Sequence, residues 1–157
     1  MNTQTSTLQP GTFVGDLQVS SILGIGKTDV TYLVTDPVIG TRFALKEYFP
    51  SGYVSRQSDG LLTPHDEQAA QSFQAGAKQF LKEARIVAAF EHPNIVEVLR
   101  YFEANGTAYF LMPYYQGKPL QKRLESEGKL NRDDAKTLMM ALMGALEHIH
   151  EPVSYTH

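Results

Sequence analysis

The 157-residue chain contains no cysteine and no tryptophan. Without thiols it can form neither disulfides nor thiolate metal sites, a composition that suits a reducing cytoplasm, and a cytoplasmic location is expected. No run of five or more basic residues occurs, and the net charge is -3, so neither a nucleic-acid surface nor an anionic-membrane surface is expected. Apolar runs stop far short of the roughly 20 residues that span a bilayer. The polar start, Met1 to Pro10, lacks the basic-then-apolar plan of a secretory leader. No internal repeat or low-complexity tract stands out. The hydrophobic share of 42% is slightly below the ordinary range and the charged share of 20% is ordinary, as for about one globular domain.

Residues 1–12, rich in Thr, Gln and Ser, read as a loose tail. Leu17, Val19 and Ile22-Leu23 mark a first strand, and Val30 to Thr35 a second of β-branched and aromatic character. Gly24-Ile25-Gly26 and Lys27-Thr28-Asp29 join them as a hairpin. Past the turn at Asp36 to Gly40, the run Phe43-Ala44-Leu45-Lys46-Glu47-Tyr48 alternates as a strand. Phe43 and Leu45 point to one face, Ala44 and Lys46 to the other. Residues 49–70, with Pro50, Gly52, Gly60 and Pro64, form a long connection with few apolar repeats, as consistent with a linker as with a functional loop.

A helix is expected from about Gln71 to Phe90, with Phe73, Ala77, Phe80, Ala84, Val87 and Ala88 as one apolar stripe. Glu83 sits at or beside that stripe, where a carboxylate needs a partner. Val96 to Glu103 and Thr107 to Tyr114 read as strands joined at Asn105-Gly106, a strong hairpin signal. Pro119 to Ser126 reads as a short helix closed by Gly128. A longer helix starts at an Asn131 cap with Asp134 three residues on. Its apolar stripe is Ala135, Leu138, Met139, Leu142, Leu146 and Ile149. His148 and His150, two apart on a helix, face different ways and do not make a metal pair.

Taken together, these stretches resemble the N-terminal lobe of a eukaryotic-type (Hanks-type) bacterial serine/threonine protein kinase. Phe43-Ala44-Leu45-Lys46 stands where the family has Val-Ala-Ile-Lys, and Leu23-Gly24-Ile25-Gly26 resembles the start of its glycine-rich loop. Phe80-Leu81-Lys82-Glu83-Ala84 precedes His92-Pro93-Asn94-Ile95-Val96 at the family's spacing. Lys46-Glu47-Tyr48-Phe49-Pro50 with Arg56 after it is similar to a bacterial subgroup that carries an insert at this point. The pattern departs at the loop, where the third glycine falls at Asp29 and the tip aromatic at Thr28. A carboxylate there repels phosphates by about 1 kcal/mol when solvated.

The resemblance implies an α+β fold: a five-stranded antiparallel sheet with one helix (the family's αC) over residues 13–115, including an insert at about 49–70. The hinge exit and first two C-lobe helices follow over 116–157. It implies ATP as cofactor, with Mg²⁺ in the complete kinase and no metal ligands in this chain. Gly24 and Gly26 belong to the phosphate loop, Thr31 and Ala44 to the adenine pocket, and Lys46 to the α- and β-phosphates. Glu83 orients Lys46, and Met112, Pro113 and Tyr115 form the hinge, Met112 as gatekeeper. His92 takes a structural capping role, and His157 matches the first residue of His-Arg-Asp. The family's base aspartate, magnesium-binding asparagine and Asp-Phe-Gly do not occur in the chain. An ATP-binding lobe without phosphoryl transfer is therefore expected, with weak or undetectable ATP binding by the chain itself, from a fragment or a shortened protein whose protein substrate the sequence does not name. A pseudokinase-like interaction module that binds no nucleotide is the competing reading. The stripe over 131–150, which a complete kinase buries in its C-lobe, leads to an expectation of homo-oligomers.

Overall fold

The computed structural model describes residues 7–154; His157 and the first six residues of the expected tail lie outside them. The chain forms two compact units. One runs through Ala88 and takes up again at Val98–Tyr114; the other comprises Ala89–Glu97 and the chain from Tyr115 on.

The first unit is built on a six-stranded antiparallel sheet. Its strands are β1 (Phe13–Val14), β2 (Leu17–Ile25), β3 (Asp29–Thr35), β4 (Arg42–Tyr48), β7 (Arg100–Ala104) and β8 (Thr107–Pro113), in the order β1-β2-β3-β4-β8-β7. Five of these are the expected strands. The sixth, β1, is a two-residue edge folded back on Leu17 through Gly15, whose φ of 61° suits glycine. Register sorts the side chains. Val30, Tyr32 and Val34 of β3 lie opposite Glu47, Leu45 and Phe43 of β4, and these lie opposite Tyr109, Leu111 and Pro113 of β8. That is one face. The other carries Thr31, Ala44, Lys46, Phe110 and Met112.

The first face is covered by the N-terminal segment, expected to be loose, and by the insert, whose order the sequence left open. The insert is a hairpin of β5 (Val54–Arg56) and β6 (Leu62–Pro64). Phe49, Val54 and Leu62 join the core with Leu8, Val14, Leu17 and Val19. Thr7 and Leu8 are buried, and the Leu8 N–H donates to the Tyr32 hydroxyl at 3.1 Å. A sheet face of Val, Leu and Tyr must be kept from water, so the tail and insert are recruited to cover it.

The second face receives α1 (Glu67–Ala88). The helix starts four residues earlier than expected because the Asp66 carboxylate accepts from the Ala69 N–H at 2.7 Å, an N-cap. Phe73 and Phe80 pack on Tyr48, and Phe80 on Phe110.

In the second unit, α2 (Leu120–Glu127) ends at Gly128, φ 80°. α3 (Arg132–Ser154) begins at Asn131, whose side-chain oxygen accepts from the Asp134 N–H at 2.8 Å. His92 Nδ1 accepts from the Asn94 N–H, and its ring lies beside that of His148. Met139, Leu142, Met143 and Leu146 are each at least half exposed. No helix among the described residues is long and apolar enough to cross a membrane.

Candidate functional site

Lys46 stands in the middle strand of the sheet, between Thr31 of β3 and Phe110 of β8. Its ammonium lies 5.7 Å from the centroid of the Phe110 ring and 3.7 Å from Asp29 Oδ2. Both members of that ion pair are about a third exposed, at 32% and 29%, so solvent screens it and it can exchange. Asp29 reaches Lys46 because β3 begins at the end of the glycine turn. The Gly26 N–H donates to the Asp29 carbonyl at 2.8 Å, and Gly24 pairs with Thr31. A β-carbon at Gly26 would stand 2.9 Å from Asp29 Oδ1, so the carboxylate lies directly over the turn backbone. Ala44, buried and small, sits between Leu33 and Met112 on the same face as Lys46. Met112 and Pro113 are half-buried at the end of β8. Tyr115 belongs to the second unit and is exposed.

Glu83 is on the solvent side of α1, where its carboxylate accepts from Gln79 at 3.0 Å, one helical turn away. Lys46 and Glu83 are thus held by different partners, and among the described ion pairs Lys46 meets Asp29. The stripe that α1 buries centres on Phe73, Ala69 and Ala84, which turns position 83 outward.

The residue that sequence reasoning passed over is the next one. Glu47 is fully buried on the opposite face, at 0% exposure. Its carboxylate accepts from the Tyr32 hydroxyl at 2.7 Å, from the Tyr109 hydroxyl at 2.5 Å and from the Arg56 guanidinium at 2.7 Å. Arg56, 6% exposed, also donates to the Gly60 carbonyl and lies over the Phe49 ring. Asn105 donates to the Tyr109 hydroxyl and, through its carbonyl, accepts from Leu62 of the insert. One carboxylate therefore joins β3, β4, β8 and the insert immediately beside Lys46. The available signal was alternation: Phe43, Leu45 and Glu47 share a face, and a carboxylate on an apolar face demands cations or hydroxyls.

Burial first, and then the Glu47 charge, hold the Tyr32 and Tyr109 hydroxyls far above the ordinary tyrosine range. Burial by itself would lower Arg56, but the Glu47 carboxylate keeps its pKa raised. The linkage has one sign. Above about pH 10 the unfolded tyrosines release protons that the folded ones retain. Stability is fully present below that pH and is lost as pH rises toward the folded values. We expect unfolding free energy to fall by about 1.4 kcal/mol per pH unit for each such tyrosine above pH 10. Urea melts at several alkaline pH values check this, and Tyr109→Phe should remove a third to a half of the slope, since burial raises Tyr48 as well as Tyr32. An equal slope in the variant would assign the loss elsewhere.

A model of the protein kinase domain matches residues 17–155. The structure titled PpkA-294 apo form is 32% identical, with a TM-score of 0.73 over 76% of this chain and 43% of that one. The Mycobacterium tuberculosis PknI kinase domain aligns at a TM-score of 0.68 and 23% identity, over 93% of this chain and 52% of its own. The serine/threonine-protein kinase ppk25 of Schizosaccharomyces pombe is 27% identical over 145 residues, 92% of this chain and 30% of that protein. The chain thus spans about half of the kinase domains it matches in structure and less than a third of that yeast relative. With the family model covering most of its length and the same sheet and helix in solved kinases, the chain belongs to the protein kinase domain family.

Proposed function

We propose that the first unit is the ATP-holding lobe of a serine/threonine protein kinase. The observation that carries the reading is Lys46: an accessible ammonium in the centre of a rigid sheet, across from the glycine turn that ends at Asp29. In this reading Lys46 binds phosphate oxygens and Gly24 and Gly26 bring backbone N–H groups near them. Ala44, Thr31, Met112 and Pro113 border the base. The donor set fits a polyphosphate, with one cation and small residues. It does not by itself fit Mg²⁺: among the described residues no three His, Asp or Glu side chains converge. When bound, the metal neutralises phosphate charge; this chain contributes the lysine and the loop.

Glu83 takes the family's orienting role by exchanging Gln79 for Lys46 as α1 turns. The Gln79–Glu83 contact is exposed and the Lys46–Asp29 pair about a third exposed, so the main cost of the exchange is repacking Phe73 and Phe80 against Tyr48. The chain supplies no base, and it is expected to transfer no phosphate by itself.

Calorimetric titration with MgATP tests the reading. We expect weak binding, reduced at least about tenfold by Lys46→Ala, since charge-assisted hydrogen bonds contribute roughly 1.5–3 kcal/mol. Binding that ignores Lys46→Ala, or no binding at all, would favour the interaction-module reading, in which Asp29 closes the pocket to nucleotide.

A further inference from the structure

We infer that Asp29 is a built-in occupant of the phosphate position, an autoinhibitory carboxylate that a nucleotide must displace from Lys46. This rests on the nucleotide reading above and adds to it a determinant of affinity and of ligand class.

Two contacts carry it. Asp29 Oδ2 is 3.7 Å from the Lys46 ammonium. Its other oxygen, Oδ1, lies over the Gly26 backbone, within 2.9 Å of where a β-carbon would be. The side chain therefore bridges the two elements that would hold phosphate, the glycine turn and the lysine. Its position is fixed by the fold. Asp29 is the first residue of β3, paired with Tyr48 and closing the turn onto the Gly26 N–H. Tyr48 in turn is buried between Phe73 and Phe80 of α1.

The chemistry follows from charge. A carboxylate brings one negative charge to Lys46, while a polyphosphate brings several and outcompetes it. A ligand without phosphate gains nothing from displacing it. The pair is a third exposed, so the hold is modest and reversible. Asp29 thus lowers occupancy at low nucleotide concentration and favours polyphosphate ligands over uncharged ones.

The test uses the full chain and the variant Asp29→Asn, which keeps size and shape and removes the charge. MgATP and inorganic tripolyphosphate should each bind about tenfold more tightly to Asp29→Asn, a change of about 1.4 kcal/mol. Adenosine should bind both forms equally. In parallel, acylation of Lys46 by an amine-reactive reagent, followed by mass spectrometry, should be faster in Asp29→Asn, because the charged contact that holds the side chain against the glycine turn is gone. Equal MgATP affinity in the two forms overturns the proposal, as does an equal gain for adenosine, which would mean a general change in the pocket. If neither form binds MgATP, the nucleotide reading fails. Lys46 labelling then decides the pair alone: faster labelling in the variant leaves the Asp29 hold on Lys46 standing, and unchanged labelling removes it.

Discussion

Arg56→Met should lower the unfolding free energy by about 3–5 kcal/mol, the cost of leaving a buried carboxylate without its cation. Glu47 is wholly out of water and Arg56 nearly so. The two tyrosine hydroxyls would remain, and they satisfy hydrogen-bonding capacity without neutralising the charge. The double variant Arg56→Met with Glu47→Gln discriminates the cause. It removes both charges, keeps an acceptor oxygen for one of the two tyrosines, which donate to different oxygens of Glu47, and should regain part of the loss. Urea unfolding of the wild type, Arg56→Met, Glu47→Gln and the double variant reads this directly. If the double variant is as damaged as the sum of its parts, the network is not a coupled unit. The effect extends past stability, because Glu47 and Lys46 are consecutive on β4. A frayed Glu47 loosens the strand that presents the lysine.

Gly76→Ala should destabilise the protein by about 1–3 kcal/mol, the range for overfilling a packed core. On an isolated helix the same change would stabilise by about 1 kcal/mol, so the sign itself is the prediction. Gly76 lies mid-helix in α1, and a β-carbon there would fall on the Tyr48 hydroxyl and ring. Tyr48 cannot easily retreat: its ring stacks on Phe73 at 5.4 Å and meets Phe80 at 5.7 Å, and its carbonyl accepts from Thr107. The helix would have to lift from the sheet. Thermal melts compared with Gly52→Ala, where the space is open, check the expectation. A rise in melting temperature for Gly76→Ala would show that α1 is not held where we place it.

Much of this was written locally in the chain. Alternation in Phe43–Tyr48 set Lys46 and Leu45 on opposite faces, and Asn105-Gly106 set the β7–β8 hairpin, with φ of 52° and 70° at its tip. Asn131 set the start of α3. These features depend on residues a few positions apart, so period and turn chemistry reveal them. Two things could not be read that way. The insert read equally as a linker or a functional loop because its order comes from elsewhere: Arg56 is anchored by Glu47, and Leu62 by Asn105, 43 residues further on. Likewise, which carboxylate meets Lys46 was undecidable from spacing, since Asp29 and Glu83 lie 17 and 37 residues away on either side. Residues close in sequence set five of the strands, the helices and the lysine's face. The partners came from packing, because a buried or bridging charge takes whichever opposite charge the folded chain delivers within reach.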